Sequence, residues 1–169
     1  VELSYALASN LKKYNVGVEH NSHTSCKPSV SDTGSKCYVW TKQTLERLVA
    51  SETVKNIVVS YRLALYLFGL SEGVYPSLPD EGTDGDRETI WKDLLKILSE
   101  LSESGKQVYF VVQAPELPYH IDRIAFFNQS DTSKRIKGVN RAWWDHRNMF
   151  VFERLGELPE DVIVVDPTD

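Results

Sequence analysis

The stretch Asn56-Ile57-Val58-Val59-Ser60-Tyr61-Arg62 decides the fold class of this 169-residue chain. It opens with a short β-branched apolar run, which favours a buried strand, and it stops abruptly at a polar triplet. Ligands of open α/β sheets bind beyond the carboxyl ends of the strands, so the Arg62 guanidinium is placed to face a pocket. There it would offer a rigid fork of donors to an oxyanion, a carboxylate or a sugar hydroxyl. The alternative, which this stretch leaves open, is that Arg62 is a strand-end charge paired with a surface carboxylate.

Helical and strand patterns alternate on both sides of this stretch. Strands are predicted at Val16–His20, Asn56–Tyr61, Gln107–Gln113 and Asp161–Val165. Helices are predicted over Val1–Tyr14, through Leu45 with Thr41 or a neighbour as its cap, over Glu88–Ser104 and over Val139 to about Leu155. An apolar turn or short helix is predicted between the second strand and Leu70, and a polar, partly helical stretch leads through Asn128 to Lys137. Because strands separated by helices pair in parallel through right-handed crossovers, the order predicts an α/β/α three-layer sandwich.

The alternation opens on a helix and therefore lacks its first strand. In a flavodoxin-like strand order of 2-1-3-4-5, that strand is central and lies between the strands at Val16 and Ile57. Those two strands should then lie about 10 Å apart, twice the usual spacing. No Ser, Thr, Asp or Asn precedes the first helix to cap it. We therefore expect residues 1–169 to be a single domain cut from a larger polypeptide.

Composition excludes several classes of function. The chain is 41% hydrophobic and 25% charged, which is ordinary for a globular protein. Its net charge of −5 argues against a nucleic-acid partner, which usually binds a basic face. The sequence holds no apolar run of about 18 residues that could span a membrane. We attribute the Asn128-Gln-Ser130 glycosylation sequon to chance.

Two cysteines, Cys26 and Cys37, lie eleven positions apart in a polar stretch. One pair closing a short loop is typical of a single disulfide in an oxidising compartment. A metal site is disfavoured because no second cysteine pair exists, and neither His20 nor His23 has a clean tetrahedral spacing with the cysteines. Two unpaired cytosolic thiols remain the alternative. We expect a disulfide, no metal and no cofactor.

Catalytic motifs with a known mechanism are absent. The sequence contains no G-x-S-x-G elbow, phosphate-binding loop, dinucleotide fingerprint or H-E-x-x-H helix. No two acidic residues stand out as a glycosidase pair. Taken alone, the residues predict a pocket near Ser60–Arg62 and Ala114–Leu117 and nothing sharper.

Four blocks of sequence nevertheless share the order and spacing of a known family. They are Ser25-Cys26-Lys27-Pro28, Ile57–Arg62 with Tyr66, Val112–Leu117, and the closing run Val162–Pro167. Together they resemble the SGNH-hydrolase-type domain fused to membrane acyltransferase-3 proteins, over essentially the whole chain. That family consists of bacterial O-acyltransferases that modify lipopolysaccharide O-antigen, capsule and other envelope glycans. The resemblance implies a flavodoxin-like SGNH-hydrolase fold.

The resemblance also implies that the catalytic residues lie outside this chain. The family's nucleophilic serine belongs to a Gly-Asp-Ser-His block, which would fall just before Val1. Its general-base histidine belongs to an Asp-x-x-His block, which would fall after Asp169. The triad needs Ser, His and Asp together, so no catalytic residue is assigned within the chain.

What remains, by resemblance, is the supporting half of an active site. Ser25 stands where family members usually carry a glycine of the oxyanion hole, and Ser60, Tyr61 and Arg62 stand where they carry an asparagine. We expect Arg62 to donate in its place. Tyr66, Pro115 and Glu116 would shape the pocket, and a Cys26–Cys37 disulfide would rigidify the loop that presents Ser25.

The function implied is that of an extracytoplasmic, periplasmic domain of an inner-membrane O-acyltransferase. Its partners would be an envelope glycan acceptor and the membrane domain that delivers the acyl group, with membrane contact only through that domain. Two alternatives stay open: a secreted SGNH esterase that removes acetyl groups from envelope polysaccharide, and a non-catalytic glycan-binding module.

Overall fold

A parallel sheet organises the part of the chain that the structure, a computed structural model, describes: residues 2–128 and 137–168. Its strands are β1 (Asn56–Ser60), β2 (Gln107–Val111) and β3 (Val162–Val165), in the order β1-β2-β3. Both pairings are parallel, and Val59, Phe110 and Val164 lie side by side across them. The α/β class with a parallel sheet that lacks a strand is confirmed. The Asn128-Gln-Ser130 sequon extends outside the described residues.

Helices fill the connections between the strands. The α-helices are α1 (Glu2–Leu11), α2 (Lys36–Ala50), α3 (Leu63–Phe68), α4 (Asp84–Glu103), α5 (Ile121–Asn128) and α6 (Arg141–Phe152). Short 3₁₀ turns cover Lys12–Tyr14 and Leu155–Glu157. Each crossover between neighbouring strands carries at least one helix, as parallel pairing requires.

The hydrophobic core lies on one face of the sheet. Burial alternates along β1, where Ile57 and Val59 are buried while Val58 is 42% exposed. The buried strand residues form one cluster with apolar residues of α2, α3, α4 and α6. On the opposite face, Ile163 and Val165 of β3 are exposed like Val58. The described residues therefore leave an apolar sheet surface open to solvent.

The predicted strand at Val16–His20 is not formed. The segment follows the 3₁₀ turn as irregular backbone, and Val16 is 48% exposed. An extended segment becomes a strand only when a neighbour satisfies its hydrogen bonds. The neighbour predicted for it is the first, central strand, which is not among residues 1–169. Since the Val16–His20 strand is not formed, the expected spacing of about 10 Å between it and β1 cannot be measured as a distance between strands.

Two helices begin earlier than predicted because side-chain caps extend them. The Ser35 hydroxyl accepts a hydrogen bond from the Tyr38 amide, so α2 starts at Lys36 and not near Thr41. For α4, the predicted start was Glu88. Thr83 and Asp86 cap each other's backbone in a capping box and start the helix at Asp84.

Candidate functional site

Arg62 lies where the sequence predicts it, at the carboxyl edge of the sheet. It directly precedes α3, two residues after β1 ends, and its side chain is 53% exposed. Its Nη2 lies 3.8 Å from Glu116 Oε1 and 3.9 Å from Glu72 Oε1. Both distances are too long for hydrogen bonds, so the carboxylates attract the guanidinium without occupying its donors. Arg62 is thus paired with carboxylates, as the second interpretation expects, and its side chain is half-exposed. That it faces a pocket stays a prediction.

Glu116 follows β2 and is buried, with only 6% of its side chain exposed. Its Oε2 accepts a hydrogen bond of 2.6 Å from Nε of Arg147, which lies on α6 and whose side chain is fully buried. The neighbouring Pro115 is exposed. Glu116 is therefore part of an internal ion pair as well as a neighbour of Arg62.

The two tyrosines differ in environment. Tyr61 is largely buried and packs against the core cluster. Burial, and secondarily the proximity of Tyr66, raises the pKa of Tyr61 to about 12. Burial also raises the pKa of Tyr66, against the opposing influence of the Arg62 guanidinium. Both tyrosines therefore pack against the core, and Tyr66 also lies near enough to Arg62 for the guanidinium to act on its phenol.

The raised pKa of Tyr61 makes folding sensitive to alkaline pH. A phenol with a pKa near 10 when unfolded and about 12 when folded binds its proton more tightly in the native state. Its contribution is fully present below pH 10 and is lost as the pH rises towards 12, about 2 to 3 kcal/mol in total. Urea unfolding at pH 9 and pH 11.5 should show this loss, and Tyr61→Phe should lose correspondingly less. Equal losses in both proteins would refute the assignment.

Ser60 and Ser25 are both exposed. Ser25 adopts φ 60°, a left-handed conformation in which glycine is unstrained. It precedes Cys26, which forms the predicted disulfide with Cys37 at a Cα–Cα distance of 5.2 Å. Within the described residues, no hydrogen bond or ion pair joins Ser25 to Arg62 or Glu116. The structure thus brings Arg62 and Glu116 to an ion-pair distance of 3.8 Å, with Tyr66 in the vicinity of Arg62, and leaves Ser25 on its own loop.

Comparison with protein-family models decides the family. The model described as "SGNH domain (fused to AT3 domains)" matches residues 1–169. The chain belongs to the SGNH domain family. Neither the curated proteins nor the solved structures gave a match. The positive φ of Ser25 fits the expectation, drawn above from the resemblance, that this family usually has a glycine there.

The Ser25 loop of this SGNH domain has an anchor that the sequence did not reveal. Oδ2 of Asp93, a buried residue of α4, accepts hydrogen bonds from the Val30 amide at 2.9 Å, the Ser31 amide at 3.3 Å and the Ser31 hydroxyl at 2.9 Å. The disulfide fastens the same loop to the first turn of α2. One feature of the sequence could have indicated it: Asp93 lies on the apolar face of α4 beside Leu94 and Ile97, where a charged residue needs a buried partner.

Removing this anchor should destabilise the SGNH domain. Asp93→Ala leaves two loop amides without their acceptor, and we expect a loss of about 2 to 4 kcal/mol in the free energy of unfolding. Asp93→Asn keeps one carboxamide oxygen and should lose less. Lys92→Ala, an exposed neighbour on the same helix, is the control. Chemical denaturation measures all three, and a loss for Asp93→Ala no greater than that for Lys92→Ala would refute the role.

The arrangement suits binding of a carbonyl oxygen, a carboxylate or a hydroxyl, because a half-exposed guanidinium is held at the sheet edge. Among the described residues, no histidine hydrogen-bonds to Ser25 or Ser60, and no cluster of three metal-ligating side chains occurs. None of the described helices is both long and apolar enough to cross a membrane.

Proposed function

We propose that this SGNH domain is the extracytoplasmic, periplasmic part of a bacterial membrane O-acyltransferase that transfers acyl groups, acetyl in the simplest case, to hydroxyls of an envelope glycan. The observation that carries the proposal is the match of the whole chain to a family described as fused to AT3 domains. The Cys26–Cys37 disulfide supports an oxidising compartment.

The proposed reaction uses a serine and a histidine from outside residues 1–169. The serine oxygen attacks the carbonyl carbon of an acyl donor presented by the membrane domain, and histidine takes the serine proton and returns it to the leaving group. A glycan hydroxyl then attacks the seryl ester, histidine takes its proton, and the serine oxygen leaves and recovers that proton. No cofactor is required.

Arg62 is assigned a supporting role in both steps. Each passes through a tetrahedral intermediate whose oxyanion needs donors in place before the charge develops. The Arg62 guanidinium lies at the correct edge of the sheet and has N–H groups that no acceptor among the described residues occupies. Arg62 thereby takes the place of the asparagine that the family resemblance leads one to expect.

A free sheet edge supports the origin of the missing serine. Among the described residues, β1 pairs only with β2, and its other edge has no strand beside it. A strand from elsewhere in the polypeptide would complete the sheet there and end at the same edge as Arg62. That is where a nucleophile must lie for Arg62 to reach the oxyanion.

Reading the coding sequence on both sides of the chain tests the proposal against its alternatives. The acyltransferase predicts a Gly-Asp-Ser-His block before Val1, an Asp-x-x-His block after Asp169 and about ten membrane-spanning helices upstream. A secreted esterase predicts both blocks behind a signal peptide instead. A non-catalytic glycan-binding module predicts that both blocks are missing, which would refute catalysis.

A further inference from the structure

The ion pair between Glu116 and Arg147 is the most deeply buried pair of opposite charges among the described residues. Arg147 donates through Nε to Glu116 Oε2 at 2.6 Å, and its Nη2 lies 3.5 Å from Oε1. Only 6% of the Glu116 side chain and none of the Arg147 side chain is exposed. A buried pair of this kind often stabilises a fold no better than apolar residues of the same volume. The pair lies next to Arg62, which suggests that it positions the Arg62 side chain.

Arg147 contacts both oxygens of Glu116, and one of those oxygens also faces Arg62. Oε2 accepts the short hydrogen bond from Arg147 Nε, whereas Oε1 lies 3.5 Å from Arg147 Nη2 and 3.8 Å from Nη2 of Arg62. Glu72 lies at nearly the same distance from that nitrogen, but its side chain is 28% exposed, and within the described part of the chain no cation other than Arg62 pairs with it. Because an interaction between charges is screened less when one of them is buried, we expect Glu116 to influence the position of the Arg62 guanidinium more than Glu72 does.

Arg147 also ties together the two chain segments that flank the site. Its Nη2 donates to Gly69 O at 2.6 Å, just after α3 ends, while its Nε holds Glu116 in the loop after β2. At the start of α3, the Gln113 side-chain oxygen accepts the Ala64 amide at 2.9 Å. The start of the short helix that follows Arg62 is therefore bound directly to Gln113, and its end is linked through Arg147 of α6 to Glu116.

We propose that Glu116 and Arg147 are positioning residues for Arg62: the buried pair holds the Arg62 guanidinium at the carboxyl edge of the sheet, ready to donate to the acyl oxyanion. This inference rests on the proposed acyl transfer. Because both side chains are buried, neither is placed to bind the substrate itself. Their effect on the rate passes through Arg62 alone, and that makes it separable from a general effect on the fold.

A double-mutant cycle in the full-length polypeptide tests this coupling. Glu116→Gln preserves the size of the side chain but removes its charge, and we expect it to lower kcat for glycan acylation about 10- to 100-fold with KM for the glycan changed less than about twofold. In an Arg62→Ala background, the same substitution should change kcat less than about twofold. Glu72→Gln, the matched carboxylate, should have a smaller effect than Glu116→Gln.

Each other outcome has a definite meaning. If Glu116→Gln lowers kcat equally in both backgrounds, the pair acts through the fold and positioning is rejected. If Glu116→Gln and Glu116→Asp both abolish the cooperative melting transition, the ion pair is required for folding and the positioning role is again rejected. If Arg62→Ala itself is fully active, the role of Arg62 in the proposed function has failed. If Arg62→Ala is impaired while Glu116→Gln is not, only the positioning proposal has failed.

Discussion

Replacing Arg62 with alanine is expected to lower the rate of glycan acylation by the full-length polypeptide roughly 100- to 1000-fold. This is the usual effect of removing one preorganised oxyanion donor, about 3 to 4 kcal/mol of transition-state stabilisation. The loss should appear in kcat, because the oxyanion forms only along the reaction. Stability should change little, since the Arg62 side chain is 53% exposed and its two ion pairs are long.

Two variants control this experiment. Arg62→Lys keeps the charge but loses the planar fork, so it should recover only part of the rate. Arg47→Ala removes an arginine of similar exposure that pairs with Glu19, and its rate should match that of the unaltered protein. An Arg62→Ala protein as active as Arg47→Ala would show that Arg62 binds no reacting oxygen.

Replacing Arg147 with methionine is expected to reduce the free energy of unfolding by about 3 to 5 kcal/mol. The substitution leaves the Glu116 carboxylate buried without its cation, which is the costly way to break an internal ion pair. It also removes the donor to Gly69 O. Urea unfolding at neutral pH measures the loss.

Removing both charges separates the cost of an unpaired buried carboxylate from the cost of losing the donor to Gly69 O. The double variant Arg147→Met with Glu116→Leu leaves no buried charge behind, and it should regain most of the lost stability. Arg47→Met, which breaks an exposed pair, should cost no more than about 1 kcal/mol. A loss below about 1 kcal/mol for Arg147→Met alone would contradict the burial and pairing described above.

The sheet was predictable from the sequence where local pattern and tertiary partner agree. The apolar runs around Val58, Phe110 and Ile163 each predicted a strand, and the helices between them predicted parallel pairing. Both features are present in the structure. The Val16–His20 segment had a similar local pattern and did not become a strand. A strand depends on hydrogen bonds to a neighbour, and no local pattern can supply one.

Arg62 could be located in advance because a polar residue at a strand end is visible in the sequence. Its surroundings could not, because they depend on residues distant along the chain. Arg147 contacts Glu116 across 31 positions, and Asp93 contacts the Ser31 loop across 62. Helical spacing could have predicted that Arg147 is buried, since it shares a face of α6 with Trp144 and Val151.

The family match and the geometry of Arg62 converge on one measurement. The O-acyl content of the envelope glycan should be determined by NMR in the organism that encodes this chain, with the gene intact, deleted, or carrying Arg62→Ala. Acyl transfer predicts that deletion removes a class of O-acyl groups and that Arg62→Ala, at equal protein level, removes most of the same class. An O-acyl content that rises on deletion would instead identify an esterase, and one that stays unchanged would contradict acyl chemistry altogether.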